Sequence, residues 1–387
     1  MRCARTTAAI AAVVLLGPAR LEAQSADAAA RIAFGDDVHA MAGLTCAACH
    51  AGQPIPTAPK RTQIAPLCAK CHSDATYMRQ FDPQVRVDQF AQYVTSVHGQ
   101  QMAKGEDRVA ACSDCHGAHG IKRVRDSRSP VAPLNVATTC AHCHADPARM
   151  TPFHRDPTPM ADWSASVHAT ALLKRGDTSA PTCSTCHGSH GAVPPGVSEV
   201  ANVCSQCHVR EADLFKASPK KAIFEAIGQA DCLACHSNHR IEPPQDRWIG
   251  LQEGAVCATC HDASSNGSKT IADVRQRLDT LSAAMKTADA VLTRADRAGM
   301  LVEDGRAALR EAHEQQINAH VLVHAFVAAP FDEVAARGLA AAGRAETSGN
   351  EAIQELQYRR RGLGVATVLI LGFLVTLWFK IRSLSPQ

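Results

Sequence analysis

Large aromatic side chains are scarce in this chain. Phe, Trp and Tyr make up 4% of 387 residues, with three Trp and three Tyr. The length would suit two or three ordinary domains. So few aromatics, with frequent Gly and Pro over the first two-thirds, exclude domains there that are packed around large side chains. Charge of one sign is missing too: the net charge of +3 is too slight to imply a nucleic-acid partner. Apolar runs are confined to two places, Thr6–Gly17 and Gly362–Phe379.

What is abundant is cysteine and histidine, 17 and 19 residues respectively. Sixteen of the cysteines fall into one pattern, C-x-x-C-H, used eight times. The copies are Cys46, Cys49 and His50; Cys68, Cys71 and His72; Cys112, Cys115 and His116; and Cys140, Cys143 and His144. They continue with Cys183, Cys186 and His187; Cys204, Cys207 and His208; Cys232, Cys235 and His236; and Cys257, Cys260 and His261. Chance spacing would give about 0.04 copies of this attachment signature of c-type haem. Two thiols add across the haem vinyl groups, and the adjacent His reaches back to the iron. Zinc sites also pair C-x-x-C units, but have no reason to place His after every second Cys. Eight covalently attached haem c groups are therefore expected. With about 27 residues per motif, the porphyrins themselves must be the core.

Residues 1–23 read as a secretory signal, with Arg2 and Arg5 ahead of Thr6–Gly17 and a cleavage site at Leu21-Glu22-Ala23. Cys3 should leave with it. Export fits the motifs, because haem is attached to c-type cytochromes outside the cytoplasm, and thiols with that fate should form no disulfides.

An internal repeat organises residues 24–265. Ser96-Val97-His98 and Ser166-Val167-His168 each precede a motif followed by Gly-x-His, ending at His119 and His190. A second motif follows each, so the unit is two haems plus two further His, and four units run in tandem. The first unit has His39 upstream but Gln53 where its second extra His should be. The fourth has His239 but no upstream His, and Lys220 or Lys221 falls near that place. A second imidazole gives a low-spin iron suited to electron transfer, whereas an open sixth position suits chemistry on a small molecule. His39, His98, His119, His168, His190 and His239 are the register-placed candidates for sixth ligands. His142, inside a motif loop, and His154 lie nearby. A solvated loop His is the plain alternative for each.

The doubled motifs, with S-V-H ahead and C-H-G-x-H within, resemble the multihaem cytochrome c3-type family over roughly residues 38–262. The resemblance implies closely stacked, bis-His haems forming an electron wire, with a distal His commonly serving a haem other than that of its own motif.

Residues 266–361 hold no Cys and much Ala. Ile271, Val274, Leu278, Leu281, Met285, Ala288 and Leu292 form the seam of an amphipathic helix ending near Gly299. A second helix is expected from about Glu303 to Ala329, stopped by Pro330. It would carry His313, Ile317, His320, His324 and Val327 on one face. A packed, hydrogen-bonded His is the plain reading of any one of these. The sharper expectation is that this face covers the haems and that His324 or His320 supplies a missing sixth ligand. A third stretch, Phe331 to Arg361, is interrupted by Gly338, Gly343 and Gly349. Residues 362–379 just suffice to span a bilayer, with Trp378 at the interface and residues 380–387 as a cytoplasmic tail.

The fold expected is mostly α and irregular: a haem-packed domain of short helices and loops, a helical hairpin or small bundle, and one transmembrane helix. The function expected is electron transfer at the periplasmic face of the cytoplasmic membrane, between a quinol-oxidising membrane partner and a periplasmic redox partner. The alternative is an octahaem enzyme acting on a small nitrogen or sulfur compound at one haem lacking a strong sixth ligand.

Overall fold

The computed structural model describes residues 27–50, 59–195 and 200–384, and these form helices and loops with no strand among them. The expected signal at residues 1–23, and Gln53, lie outside the described residues. Two compact units result: Met1–Val203 with His236–Pro243, and Cys204–Cys235 with Pro244–Gln387. The motif-bearing segment contributes to both units, where the change of composition at residue 265 had suggested a single break.

In the first unit most helices are of one or two turns, and five of them are started by a side-chain cap. Asp37, Asp74, Ser96, Asp146 and Ser166 accept hydrogen bonds from backbone N–H groups of the first turn, satisfying donors that a helix start leaves unpaired. Asp37, Ser96 and Ser166 are the most deeply buried of these, at 0–1% exposure. Apolar packing is thin. Ala137, Trp163, Ala169, Ala171, Leu172 and Ala180 make one small cluster, consistent with a unit whose core is not made of side chains. Arg61 opens the helix Arg61–His72. It donates to the carbonyls of Asp107 and Val109 and to both carboxylate oxygens of Asp114, tying the second motif to the third.

The second unit contains three long helices: α1 (Ser268–Arg297), α2 (Glu303–Leu322) and α3 (Ala328–Leu384). The seam of α1 is as the spacing predicts: Val274, Leu278, Leu281, Ala288 and Leu292 are buried, and Ile271 and Met285 half-buried. Val274 and Leu278 meet Ala319 and Leu322 of α2 and Phe331, Val334 and Ala335 of α3, while Ala288 and Leu292 meet Ala345 of α3. Two sequence expectations need correction. Helix α2 is not ended by Pro330. It ends at Leu322, passes through a turn of 3-10 helix at Val323–Ala325, and is broken by Phe326 at φ 53°. Pro330 instead sits in the first turn of α3, where its missing N–H costs nothing.

Nor do the glycines interrupt α3, which runs unbroken for 57 residues. At Gly349 a Cβ would come within 2.7 Å of Val291 Cγ1 and 3.2 Å of the Leu292 backbone nitrogen. The glycine is there for close approach of α3 to α1. Gly343 has nothing within 4 Å. Gly343→Ala should therefore raise bundle stability by about 1 kcal/mol through helix propensity. Gly349→Val should lower it by about 1–3 kcal/mol through overpacking. Thermal unfolding followed at a helical circular-dichroism band distinguishes the two, and equal effects would refute the packing role.

Beyond Ile353, the last residue packed on the bundle core, the apolar end of α3 leaves the bundle. Leu369, Phe373 and Trp378 are more than half exposed, and this is the one helix among the described residues long and apolar enough to cross a membrane.

Candidate haem-binding site

Each motif sits on a short helical turn. His50, His208 and His261 donate their backbone N–H to the carbonyl of the first Cys of their motif, at 2.9 Å in each case. That bond closes one helical turn, so the two thiols, three residues apart, face the same side, and the His follows directly. Gly117 and Gly188, next after the motif His, hold φ of 84° and 80°, a conformation open to glycine without strain. Ser237 takes the same place in the fourth unit at φ 63°. This left-handed residue turns the chain so that His119, His190 and His239 leave the helix they follow.

The histidines are then brought together in pairs. His39 faces His72 at 5.9 Å between ring centroids, His50 faces His119 at 6.1 Å, and His98 faces His144 at 6.0 Å. His116 faces His190 at 6.1 Å and His187 faces His239 at 5.9 Å. The angle between the rings varies from 7° in one pair to 86° in another, yet the separation hardly changes. Rings in direct contact would not behave so, since parallel faces would close to about 3.5–4.0 Å. Two nitrogen–metal bonds of about 2 Å each, with the half-widths of two imidazoles, come to roughly 6 Å. The pairs are spaced as ligands on either side of one metal atom, and the ring angle is free to vary about that axis.

The protonation states agree. Burial pushes His72, His98, His116, His144, His190, His239 and His261 below the ordinary imidazole range, and in most of them a facing or neighbouring cationic group adds to it. Neutral imidazole is the form that binds metal. Some Nδ1 atoms are held from behind: His39 by Asp37 at 3.0 Å and His187 by the Val193 carbonyl at 3.2 Å. This is the outer support that fixes the orientation of a ligating ring.

The pairing follows one rule. In each of the first two units the capped His, two residues after Asp37 or Ser96, faces the second motif of its own unit, His72 or His144. The His of C-H-G-x-H faces the first motif of the preceding unit: His119 faces His50, His190 faces His116, and His239 faces His187. Backbone bonds lock the same interleaving, since Val38, Val97 and Val167 donate to the carbonyls of Ile121, Ala192 and Ile241. Those acceptors lie two residues after His119, His190 and His239. Gln53 fits the same rule, since residues 1–45 carry no C-x-x-C-H motif for a His at that place to face. His168, two residues after Ser166, holds the same capped position in the third unit.

Other candidates are placed differently. His142 and His154 are exposed and have no ring or side-chain hydrogen-bond partner among the described residues. His313 is exposed on α2. His320 presents Nε2 to Asp246 Oδ1 at 2.6 Å, which occupies that nitrogen. His324 lies in the turn after α2 and not on its face, and its Nδ1 bonds to the Val321 carbonyl at 2.9 Å. Sequence reasoning missed the buried caps Asp37, Ser96 and Ser166. The signal was the fixed two-residue distance from cap to His.

Covalent attachment motifs on helical turns, with imidazoles opposed across a metal-sized gap, define a multihaem c-type cytochrome. The family model described as cytochrome c3 matches residues 38–145 and 176–262, just over half of the chain. The chain belongs to the cytochrome c3 family, whose members bind haem c covalently and transfer electrons. Neither a curated protein nor a solved structure matches it.

Proposed function

We propose that the protein is an octahaem cytochrome, tethered by the end of α3 to the cytoplasmic membrane with its haems on the periplasmic side. It would pass electrons from a quinol-oxidising membrane partner to a periplasmic acceptor. The constant spacing of the five imidazole pairs carries this reading, because saturated axial positions suit electron transfer and disfavour substrate binding. Bound haem c would supply one-electron chemistry at iron. The opposed imidazoles of His39 and His72, His50 and His119, His98 and His144, His116 and His190, and His187 and His239 would hold it.

Adjacency along the chain supports the same reading. The Cys68 thiol is perturbed by that of Cys112, Cys140 by Cys183, and Cys232 by Cys204, so each pair lies close together as free thiols. Cys49 feels Cys68 and Cys71, Cys115 feels Cys143, and Cys235 feels Cys257 and Cys260. Within each compact unit, motifs that follow one another in sequence thus lie beside one another, the arrangement a wire needs. The sixth positions not met by the pairs above are assigned to His168, by its capped register, and to His324, by its held Nδ1, with one further position taken up below.

Intact mass and a pyridine haemochrome assay should give eight haems per chain, and EPR of the oxidised protein should give low-spin iron throughout. A high-spin haem that binds nitrite, hydroxylamine or cyanide would favour the enzyme reading instead.

A further inference from the structure

The fourth unit lacks the capped His, and the structure puts a lysine in its place. Ser218 is buried, and its Oγ accepts from the N–H of Lys220 to start the helix Pro219–Ile227. Cap and ligand position are two residues apart, as in Asp37 and His39, Ser96 and His98, and Ser166 and His168. Proline stands between them, where the other units have a valine whose N–H bonds to the next unit. No further unit follows the fourth, so that donor has no task. By the pairing rule, the residue at the capped position should face the second motif of its own unit, which is Cys257–His261. Lys220 points at it, its Nζ in direct hydrogen-bond contact with Nε2 of His261 at 2.7 Å, and the flexible four-carbon stem lets the amine draw back to the roughly 4 Å that two nitrogens on one metal atom span.

The neighbouring lysine is excluded by its own contacts. Lys221 Nζ is bound to Asp231 at 2.8 Å and to Glu225 at 3.2 Å. Beside Lys220 stands a cluster of aromatic rings. The Phe326 ring lies 5.8 Å from Nζ and packs edge-on to buried Phe215, which packs in turn on Phe224. Phe326 holds φ 53°, an uncommon conformation for a bulky residue, and it is this residue that breaks the chain between α2 and α3. A strained backbone kept where it sets an aromatic ring over an amine is the mark of a built site.

We propose that Lys220 is the sixth ligand of the haem carried by Cys257, Cys260 and His261, giving that haem a His/Lys axial pair unlike the others. The proposal rests on that motif holding haem. A primary amine is a σ-donor without the π system of imidazole, and it rides on a flexible stem. The last haem of the series is therefore electronically distinct, and its ligand is the one most readily displaced.

Near-infrared magnetic circular dichroism of the oxidised, fully loaded protein should show one low-spin charge-transfer band of the His/amine type beside the bis-imidazole band. Lys220→Ala should remove that band and turn one haem in eight high-spin by EPR. Lys220→His should keep all eight low-spin while merging the band into the bis-imidazole one. Lys221→Ala should change neither. If Lys220→Ala leaves the spectrum as in the parent, Lys220 only hydrogen-bonds to His261 and the proposal fails. Failure of the underlying reading is separately visible: the mass would then show no haem on the Cys257–His261 peptide.

Discussion

Replacing His190 with alanine should convert one haem to high spin, and that haem should not be the one attached beside it. His190 lies three residues after His187, and proximity in sequence would assign it to that motif. In the structure its ring is 6.1 Å from His116 and parallel to it within 7°, while His187 faces His239. The haem that loses a ligand is therefore the one on Cys112 and Cys115. The check is a pair of backgrounds. In a Cys112→Ala/Cys115→Ala protein the high-spin EPR signal from His190→Ala should be absent, because its haem is gone. In a Cys183→Ala/Cys186→Ala protein it should persist. The opposite pattern would refute the interleaving. Added imidazole should restore the low-spin spectrum of the single variant, since nothing but an axial ligand has been removed.

The interleaving has an energetic side. If each unit supplies a ligand to the unit before it, no unit completes its own sites, and the array is stabilised through its junctions as repeat proteins are. The backbone bonds from Val38, Val97 and Val167 add about 0.5–1.5 kcal/mol each, less than an axial bond to iron contributes. Ligation should therefore dominate the order in which the units become fixed.

How much of this could be read beforehand depends on the interaction involved. The attachment motifs are legible without any structure, because C-x-x-C-H confines two thiols and one imidazole to five consecutive residues. The seam of α1 was legible for a similar local reason, since every one of its seven positions is buried or half-buried. The register of His39, His98, His119, His168, His190 and His239 was visible as a repeat, but their partners were not. A distal ligand is chosen by which turn the chain makes after Gly117 or Gly188, and by backbone bonds to residues far away in sequence. Gln53 looked like a defect for the same reason: within one unit the His is missing, whereas across units none is required. The glycines of α3 were misread because loss of a side chain is ambiguous in sequence. It weakens a helix, and it also lets two helices meet, and only the facing Val291 and Leu292 decide which. His320 illustrates the limit of face arguments. Helical spacing grouped it with His324, but Asp246, 74 residues earlier, holds its ring.

Cutting the chain after Arg361 should leave the haem spectrum unchanged and abolish most of the electron entry from membrane quinol. The helical bundle explains the first half of that expectation. The buried residues of α3 run from Phe331 to Gly349, and Ile353 still packs against the cluster around Leu292 and Ala345. Nothing apolar beyond residue 361 contributes to that core, and Leu363 to Leu384 are exposed. Loss of the span therefore costs the bundle little and should yield a soluble, fully loaded protein. The second half follows from tethering. A membrane anchor makes the meeting with a membrane partner effectively intramolecular, which raises the encounter by about 10²–10⁴-fold over free solution. Reduction by a quinol analogue in membranes should slow by a factor in that range, while reduction by dithionite should keep its rate. Since α3 is continuous from the bundle into the span, a flexible Gly-Ser insertion after Arg361 should restore membrane attachment without the fixed geometry. A rate recovered to the parent value would mean that attachment alone matters, and a partial recovery that the rigid helix also positions the haems. If the truncated protein were reduced by membranes as fast as the full chain, the quinol-oxidising partner would have to be abandoned, and the haems would take their electrons from a soluble donor.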